Sequence, residues 1–409
     1  MKTLAICGTF DTKGEEFSYV KSVAEEMGLS TLTIHMGVFP PVCPVDVTNI
    51  EVAAEAGYDI LALAKAGDRA TATNAMTEGL KAILPRLYRE GRFDGVISMG
   101  GSGGTSLATP AMQELPFGVP KLMVSTMASG NIRPFVGTSD ILMMPAVVDV
   151  SGVNFLSRTV YKNATMAICG MLLGAEKLPL EKEKAASVRG RIAATMFGIT
   201  TPCVGYAKDY LEKAGYEVVV FHANGTGGQT MESLIRSGAF DGVLDITTTE
   251  IADEVVGGVL TAGPDRLTAA GAMAIPQVVS LGAVDTVNFA QYDTVPEAYR
   301  DRKLYKHNPT NTLMRMVPEE AERIAESLCC KLKAAKGPTV LMIPKRGLSM
   351  LDAVGKSFHS PEEDKIFFDT LKRGLAGTKV EVLEEDSHIN DREFALSAAK
   401  RLLDLMNKA

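Results

Sequence analysis

The strongest constraint on the fold is an alternation, run twice along the chain, of short apolar segments and longer amphipathic ones. Parallel strands need a crossover between them, so such alternation predicts a doubly wound parallel sheet. In the first run, strands are expected at Thr3–Cys7, Thr31–His35, Val96–Met99, Lys121–Ser125 and Ile141–Met144. Helices are expected at Gly14–Met27, at Thr71–Glu90 with a bend or break at Pro85, and at Asn154–Leu173, the last crossing between lobes. The charged, proline-containing stretch Glu176–Arg189 reads as a linker between an N-terminal lobe, 1–180, and a C-terminal lobe, 190–409. The pattern then restarts. Strands are expected at Arg191–Phe197, Tyr216–His222, Phe240–Ile246, Gln277–Leu281, Pro338–Ile343 and Lys379–Leu383. The intervening helices fall at Val204–Ala214, Pro318–Ala335, Pro361–Leu375 and Asp391–Met406.

The two runs match by role, with Phe-Asp-Gly-Val at Phe93–Val96 and again at Phe240–Val243. The expected fold class is therefore α/β: two Rossmann-like lobes, products of an internal duplication, facing each other across a cleft. A hydrophobic fraction of 46% and a charged fraction of 22% exclude a largely disordered chain. The 42 Lys+Arg against 49 Asp+Glu leave a net charge of −7, without the basic footprint of a nucleic-acid binder. The six cysteines include no Cys-x-x-Cys, which argues against a zinc site or a disulfide framework and for reduced thiols in a cytoplasm. The apolar start Leu4–Cys7 is interrupted by Gly8 and Asp11, a strand and turn rather than a signal peptide; Ala164–Ala175 is too short to span a bilayer. Neither a membrane nor a nucleic acid is an expected partner.

Chemistry is expected where strands end in glycine and hydroxyl residues. The first such place is Gly100-Gly101-Ser102-Gly103-Gly104-Thr105, between an apolar strand and a helix. Four glycines admit a ligand to the backbone, and amides at a helix start favour an anion. The segment is neither GxGxxG nor a P-loop. The second is Gly8-Thr9-Phe10-Asp11-Thr12-Lys13, where Lys13 suits a phosphate and Asp11 a water-held Mg²⁺; Asp11 or Thr12 also suits a helix cap. Ser129 and Gly130, after a third strand, would complete a nucleotide cradle. In the second run, His222 precedes Asn224-Gly-Thr-Gly-Gly228, and Glu250 and Asp285 follow later strands. These three are the catalytic candidates; Glu250 equally suits the capping box of Thr247. His307, Arg315 and the segment Lys345–His359 read as loops able to meet an anion or simply to be solvated. His35, Cys43 and Cys169 read as structural, and no metal-ligand spacing is present.

Six segments in order resemble one known family: GTFDTKGEE at Gly8–Glu16, GGSGGT at Gly100–Thr105, HANGTGG at His222–Gly228, DGVLDITTTEIAD at Asp241–Asp253, GAVDTVNF at Gly282–Phe289 and SMLDAVGKSF at Ser349–Phe358. The chain is similar over nearly its whole length to the uncharacterised bacterial, fungal and plant family that shares the N-terminal ATP-binding domain of the tomato mosaic virus resistance protein. The resemblance implies two Rossmann-like subdomains, ATP bound by the N-terminal one, and a homodimer. It also implies relatives fused to a TIM-barrel domain; here a separate TIM-barrel protein would be the partner. The expectation is a Mg²⁺-dependent ATP-binding protein, an ATP-dependent enzyme acting on a small polar metabolite by phosphoryl transfer or carboxylate activation. A non-catalytic ATP sensor is the alternative, and a sugar-nucleotide epimerase or glycosyltransferase a further one on architecture alone.

Overall fold

The structure, a computed structural model, describes residues 1–177 and 188–408. The expected linker therefore lies mostly outside the described residues. The chain divides into two compact units, Met1–Lys182 and Glu183–Ala409.

The first unit runs β1 (Thr3–Gly8), α1 (Gly14–Glu26), β2 (Ser30–His35), α2 (Asn49–Glu55), α3 (Ile60–Ala66), α4 (Arg69–Arg89), β3 (Gly95–Gly100), α5 (Ser102–Gln113), β4 (Lys121–Ser125), α6 (Arg133–Val136), β5 (Leu142–Pro145) and α7 (Phe155–Lys177). Its five strands are parallel, in the order β2-β1-β3-β4-β5. Side chains alternate across β1, and both sides are covered. Leu4 and Ile6 join Phe17, Val20, Tyr161 and Ile168 on one face, while Ala5 and Cys7 join Met76, Leu80 and Leu107 on the other. Helix α7 packs on α1 and over β3 and β4 of this sheet, where Tyr161, Ala164, Ile168 and Cys169 are buried, so the expected crossover helix belongs to the first core. Helix α4 runs unbroken through Pro85, close to its end, where buried Ile83, Leu84 and Leu87 hold it to the core. The short helices α2 and α3 were not expected. Thr48 and Glu51 form a capping box for α2, Asp59 caps α3, and Gly67 ends it in the left-handed region.

The second unit runs β6 (Arg191–Met196), α8 (Thr201–Lys213), β7 (Glu217–His222), α9 (Thr226–Arg236), β8 (Gly242–Thr247), α10 (Thr249–Val256), α11 (Ala269–Ala272), β9 (Gln277–Gly282), β10 (Thr286–Phe289), β11 (Leu304–Asn308), β12 (Asn311–Arg315), α12 (Pro318–Lys333), β13 (Thr339–Pro344), α13 (Pro361–Leu375), β14 (Glu381–Glu385) and α14 (Arg392–Met406). Six parallel strands lie in the order β7-β6-β8-β9-β13-β14. Counted from its first strand this is 2-1-3-4-5-6, the first unit's order extended by one. Helices α8 and α14 cover one face, and α12 and α13 much of the other. The stretch read as loop around His307 and Arg315 is instead an antiparallel sheet, β10-β12-β11, inserted after β9. Each unit is thus a Rossmann-like parallel sheet between helical layers.

Candidate functional site

In an open parallel sheet, ligands bind beyond the carboxyl ends of strands where the strand order reverses. In the first unit that point lies between β1 and β3. A cavity of about 600 Å³ opens there. Thr9, Asp11, Thr12 and Lys13 line it from the loop after β1, and Gly101, Ser102, Gly103 and Gly104 from the start of α5. No side chain caps α5. Its first-turn amides therefore face the cavity with the partial positive charge of a helix N-terminus.

Other walls come from segments the sequence reading did not single out: Met36–Phe39 after β2, Leu63 and Ala64 of α3, Asp68 and Thr73 at the start of α4, Leu107, and Asp149. His35 sets the first of these. Its Nδ1 accepts the N–H groups of Phe10 (3.2 Å) and Gly37 (3.3 Å), and its Nε2 lies 2.7 Å from the Phe39 carbonyl, which fixes the Nε2–H tautomer. Gly37 is required by contact: a Cβ there would sit 2.3 Å from Asp11 Oδ1. Asp11 Oδ2 in turn accepts the Phe39 N–H at 3.2 Å. The Lys13 ammonium donates to the Val150 carbonyl. Asp68 caps α4 through Thr71, whose hydroxyl and amide hold its carboxyl below the usual range. Three carboxylates and one lysine give the cavity a net negative lining.

Not every expected cradle residue reaches it. Gly8 lies beneath Phe17, whose ring would be 2.6 Å from an added Cβ, and Gly100 lets Gly104 approach to a distance no side chain would allow. Thr105 is fully buried. Its hydroxyl donates to the Gly101 carbonyl and pairs with Ser125 Oγ, both at 2.7 Å, so it builds the helix start rather than offering a phosphate donor. Ser129 and Gly130 are exposed in a turn outside the cavity wall.

In the second unit, His222 ends the edge strand β7, exposed and stacked on Phe197 at 5.4 Å between ring centroids. The glycine-rich start of α9 beside it is already occupied. Glu250 Oε1 accepts the N–H groups of Gly225 (2.7 Å) and Gly228 (3.1 Å), and its Oε2 binds Arg266 Nε at 2.6 Å. Arg266 is fully buried, forks onto Asp245 at 2.5 and 2.7 Å, and also meets Glu232. Burial pushes the Glu250 carboxyl up, against the pull of Arg266. Glu250 therefore neither caps with Thr247 nor reaches solvent; it ties α9 to β8 and α10. Asp285, fully buried beside Ser349 and Arg315, is likewise closed to solvent. The three catalytic candidates are not brought together on one surface. Among the described residues, no group of three or more His, Cys, Asp or Glu is arranged to hold a metal, and no helix is long and apolar enough to cross a membrane.

Two family profiles match in chain order: the Uncharacterised protein family (UPF0261) N-terminal domain over residues 2–177 and its C-terminal domain over 189–406. A UPF0261 protein of Clostridium tetani is 50% identical over 100% of both chains, and one of Rhizobium meliloti 43% identical, again over 100% of both. The ToMV resistance protein Tm-1 of Solanum lycopersicum is 41% identical over 83% of this chain and 45% of its own length. Among solved structures, UDP-GlcNAc 2-epimerase from Neisseria meningitidis aligns over 91% of this chain and 100% of its own, with 13% identity and a TM-score of 0.21. That score is too low to relate the two beyond strand-and-helix composition. Profile matches to both halves and full-length relatives at these identities make the chain a member of the UPF0261 family.

Proposed function

We propose that the chain is a Mg–ATP-binding protein whose N-terminal unit holds the nucleotide in the cavity at the ends of β1 and β3. The observation that carries the reading is the uncapped start of α5 forming one wall of a cavity at the switch point. Phosphates would lie on the amides of Ser102, Gly103 and Gly104, and the base against Met36, Leu63 and Leu107. The acidic lining supports Mg²⁺ as a companion, since Asp11, Asp68 and Asp149 would repel a bare polyphosphate. Mg²⁺ uses one or two carboxylates plus phosphate oxygens and needs no protein cage; Asp11 is placed for that role. Lys13 would exchange the Val150 carbonyl for a phosphate oxygen. The unpaired thiols fit a cytoplasmic setting.

Gly103 gives the sharpest test. A Cβ there would meet nothing within 4 Å, so Gly103→Asp leaves the fold room and suits a helix N-terminus, yet sets a carboxylate where the phosphates belong. Calorimetric titration should give saturable Mg–ATP binding in the wild type, weakened at least tenfold in Gly103→Asp at unchanged thermal stability. Equal affinity in the variant sinks this placement. A second reading, an ATP sensor without turnover that is read by a second copy or a separate TIM-barrel protein, is favoured by the burial of Glu250 and Asp285, which closes both carboxylates to a substrate. Absence of ADP release from bound Mg–ATP would support it over the ATP-dependent enzyme.

A further inference from the structure

Four buried polar atoms without hydrogen-bond partners gather at one place in the second unit: Asp285 Oδ1, Arg315 Nη1, Asp352 Oδ1 and His359 Nδ1. They come from the turn after β9, the end of β12 and the loop after β13, all beyond the carboxyl edge of the second sheet. Asp352 is fully buried. Its Oδ2 accepts the Leu348 N–H at 2.9 Å and lies 3.8 Å from Arg315 Nη1, while its Oδ1 faces His359 Nδ1 at 3.7 Å. The His359 side chain is 28% exposed although Nδ1 itself is buried, so the exposed side of the ring is the one that carries Nε2.

The surroundings make this a built arrangement. Arg315 is held by Asp364 at 2.5 Å, Glu363 at 3.0 Å and Asp285 at 3.4 Å, and Ser349 Oγ donates to Asp285 at 2.9 Å. Burial pushes Asp285 up to about 7 and Asp364 up to about 8, so four carboxylates need not all be charged around one arginine near neutrality. The loop is fixed on the Asp352 side of this contact. Gly347 has φ +131° and would place a Cβ 1.8 Å from the Asp352 carbonyl oxygen, and His388 Nε2 donates to the Ser349 carbonyl at 2.9 Å. Ala283, just before Asp285, is strained at φ 58° and pinned by its N–H to the Leu348 carbonyl. A carboxylate behind the inner nitrogen of an imidazole whose outer nitrogen faces solvent is the geometry of a general base, and such contacts are commonly long before substrate arrives.

We propose that His359, oriented by Asp352, is the proton-accepting group of a reaction site in the C-terminal unit that acts on a small anionic substrate. In the step, Nε2 takes a proton from a substrate O–H or C–H, and that bond's electron pair stays on the substrate. Asp352 orients the ring through Nδ1–H; the imidazolium later returns the proton. The anionic class follows from the loop itself. Lys345 and Lys356 are exposed and form no ion pair among the described residues, and the His359 N–H bonds the Lys356 carbonyl, placing that lysine one turn away. Asp352 is a positioning residue, as are Arg315 and Asp285 behind it. The proposal is independent of nucleotide binding in the other unit.

The test uses the whole chain, ring-¹⁵N-labelled, and acylation by diethyl pyrocarbonate read peptide by peptide, with exposed His307 as the internal standard. The expected wild-type result is the Nδ1–H tautomer at His359 and acylation at least fivefold faster than at His307. Asp352→Asn should lose the tautomer and bring the rate down to that of His307, which a merely structural Asp352 would not do. Malonate or inorganic phosphate should slow acylation of His359 and not of His307. An Nε2–H tautomer in the wild type, or a rate equal to that of His307, overturns the proposal even if Asp352→Asn fails to fold. Absence of protection by both anions overturns the substrate class.

Discussion

Replacing Arg266 with alanine should destabilise the second unit more than any exposed substitution. The side chain is fully buried, its fork is spent on Asp245, its Nε on Glu250, and Glu232 lies at 3.4 Å. All three carboxylates are themselves at most 5% exposed. Removing this cation strands buried negative charge, and breaking such a network costs about 3–5 kcal/mol. For a domain near 200 residues, each kcal/mol moves Tm by about 2–4 °C, so the unit should melt about 6–20 °C lower. Arg266→Lys keeps the charge but not the fork, and should fall between the two at about 1–3 kcal/mol. Hydrogen exchange of the β8 peptide across a urea series reads this unit alone, with the β3 peptide of the other unit as an internal reference. A loss below about 1 kcal/mol for Arg266→Ala, or an equal loss at β3, would refute the argument that this arginine neutralises a closed site.

Three further outcomes are expected. Gly37→Ala should weaken Mg–ATP binding about tenfold in calorimetry with little change in Tm, because the new methyl displaces Asp11 rather than core. Thr105→Val should do the reverse, costing about 1 kcal/mol in urea unfolding and leaving the affinity alone, since the hydroxyl bonds only Gly101 and Ser125. Burial pushes Asp253 up to about 8, well above the ordinary carboxyl value, so the folded state binds the extra proton. Its contribution is fully present below pH 4 and is lost as pH rises through 8; urea midpoints of the second unit should fall over that window, and fall less steeply in Asp253→Asn.

The parallel lobes were legible because buried strands leave dense apolar runs, as in Val96–Met99 and Gln277–Leu281. What escaped was structure carried by few residues. Helix α2 had a readable capping signature in Thr48 and Glu51, but seven residues give no period to detect. The strands β11 and β12 mix Lys306, His307 and Asn311 with apolar positions, because the hairpin end of that small sheet is exposed while Thr312–Arg315 are buried. At the candidate site, the loops after β1 and β3 were found because glycine beside a strand end is a local signal. The walls from Met36–Phe39 and from α3 and α4 were not, since only the fold brings them there. Glu250 was misread for the same reason: its partner Arg266 is 16 residues away, and nothing local announces the pair.

That carboxylate has a consequence for how glycine-rich turns diverge within one chain. At the start of α9, Glu250 behaves as a tethered ligand, delivered to the Gly225 and Gly228 amides by the fold itself. Its effective concentration there outstrips any free phosphate, so the turn is self-inhibited as an anion receptor. Two similar segments, Gly100–Thr105 and Asn224–Gly228, thus hold opposite positions toward solutes, and the difference was written some twenty residues downstream of the second, at a single glutamate.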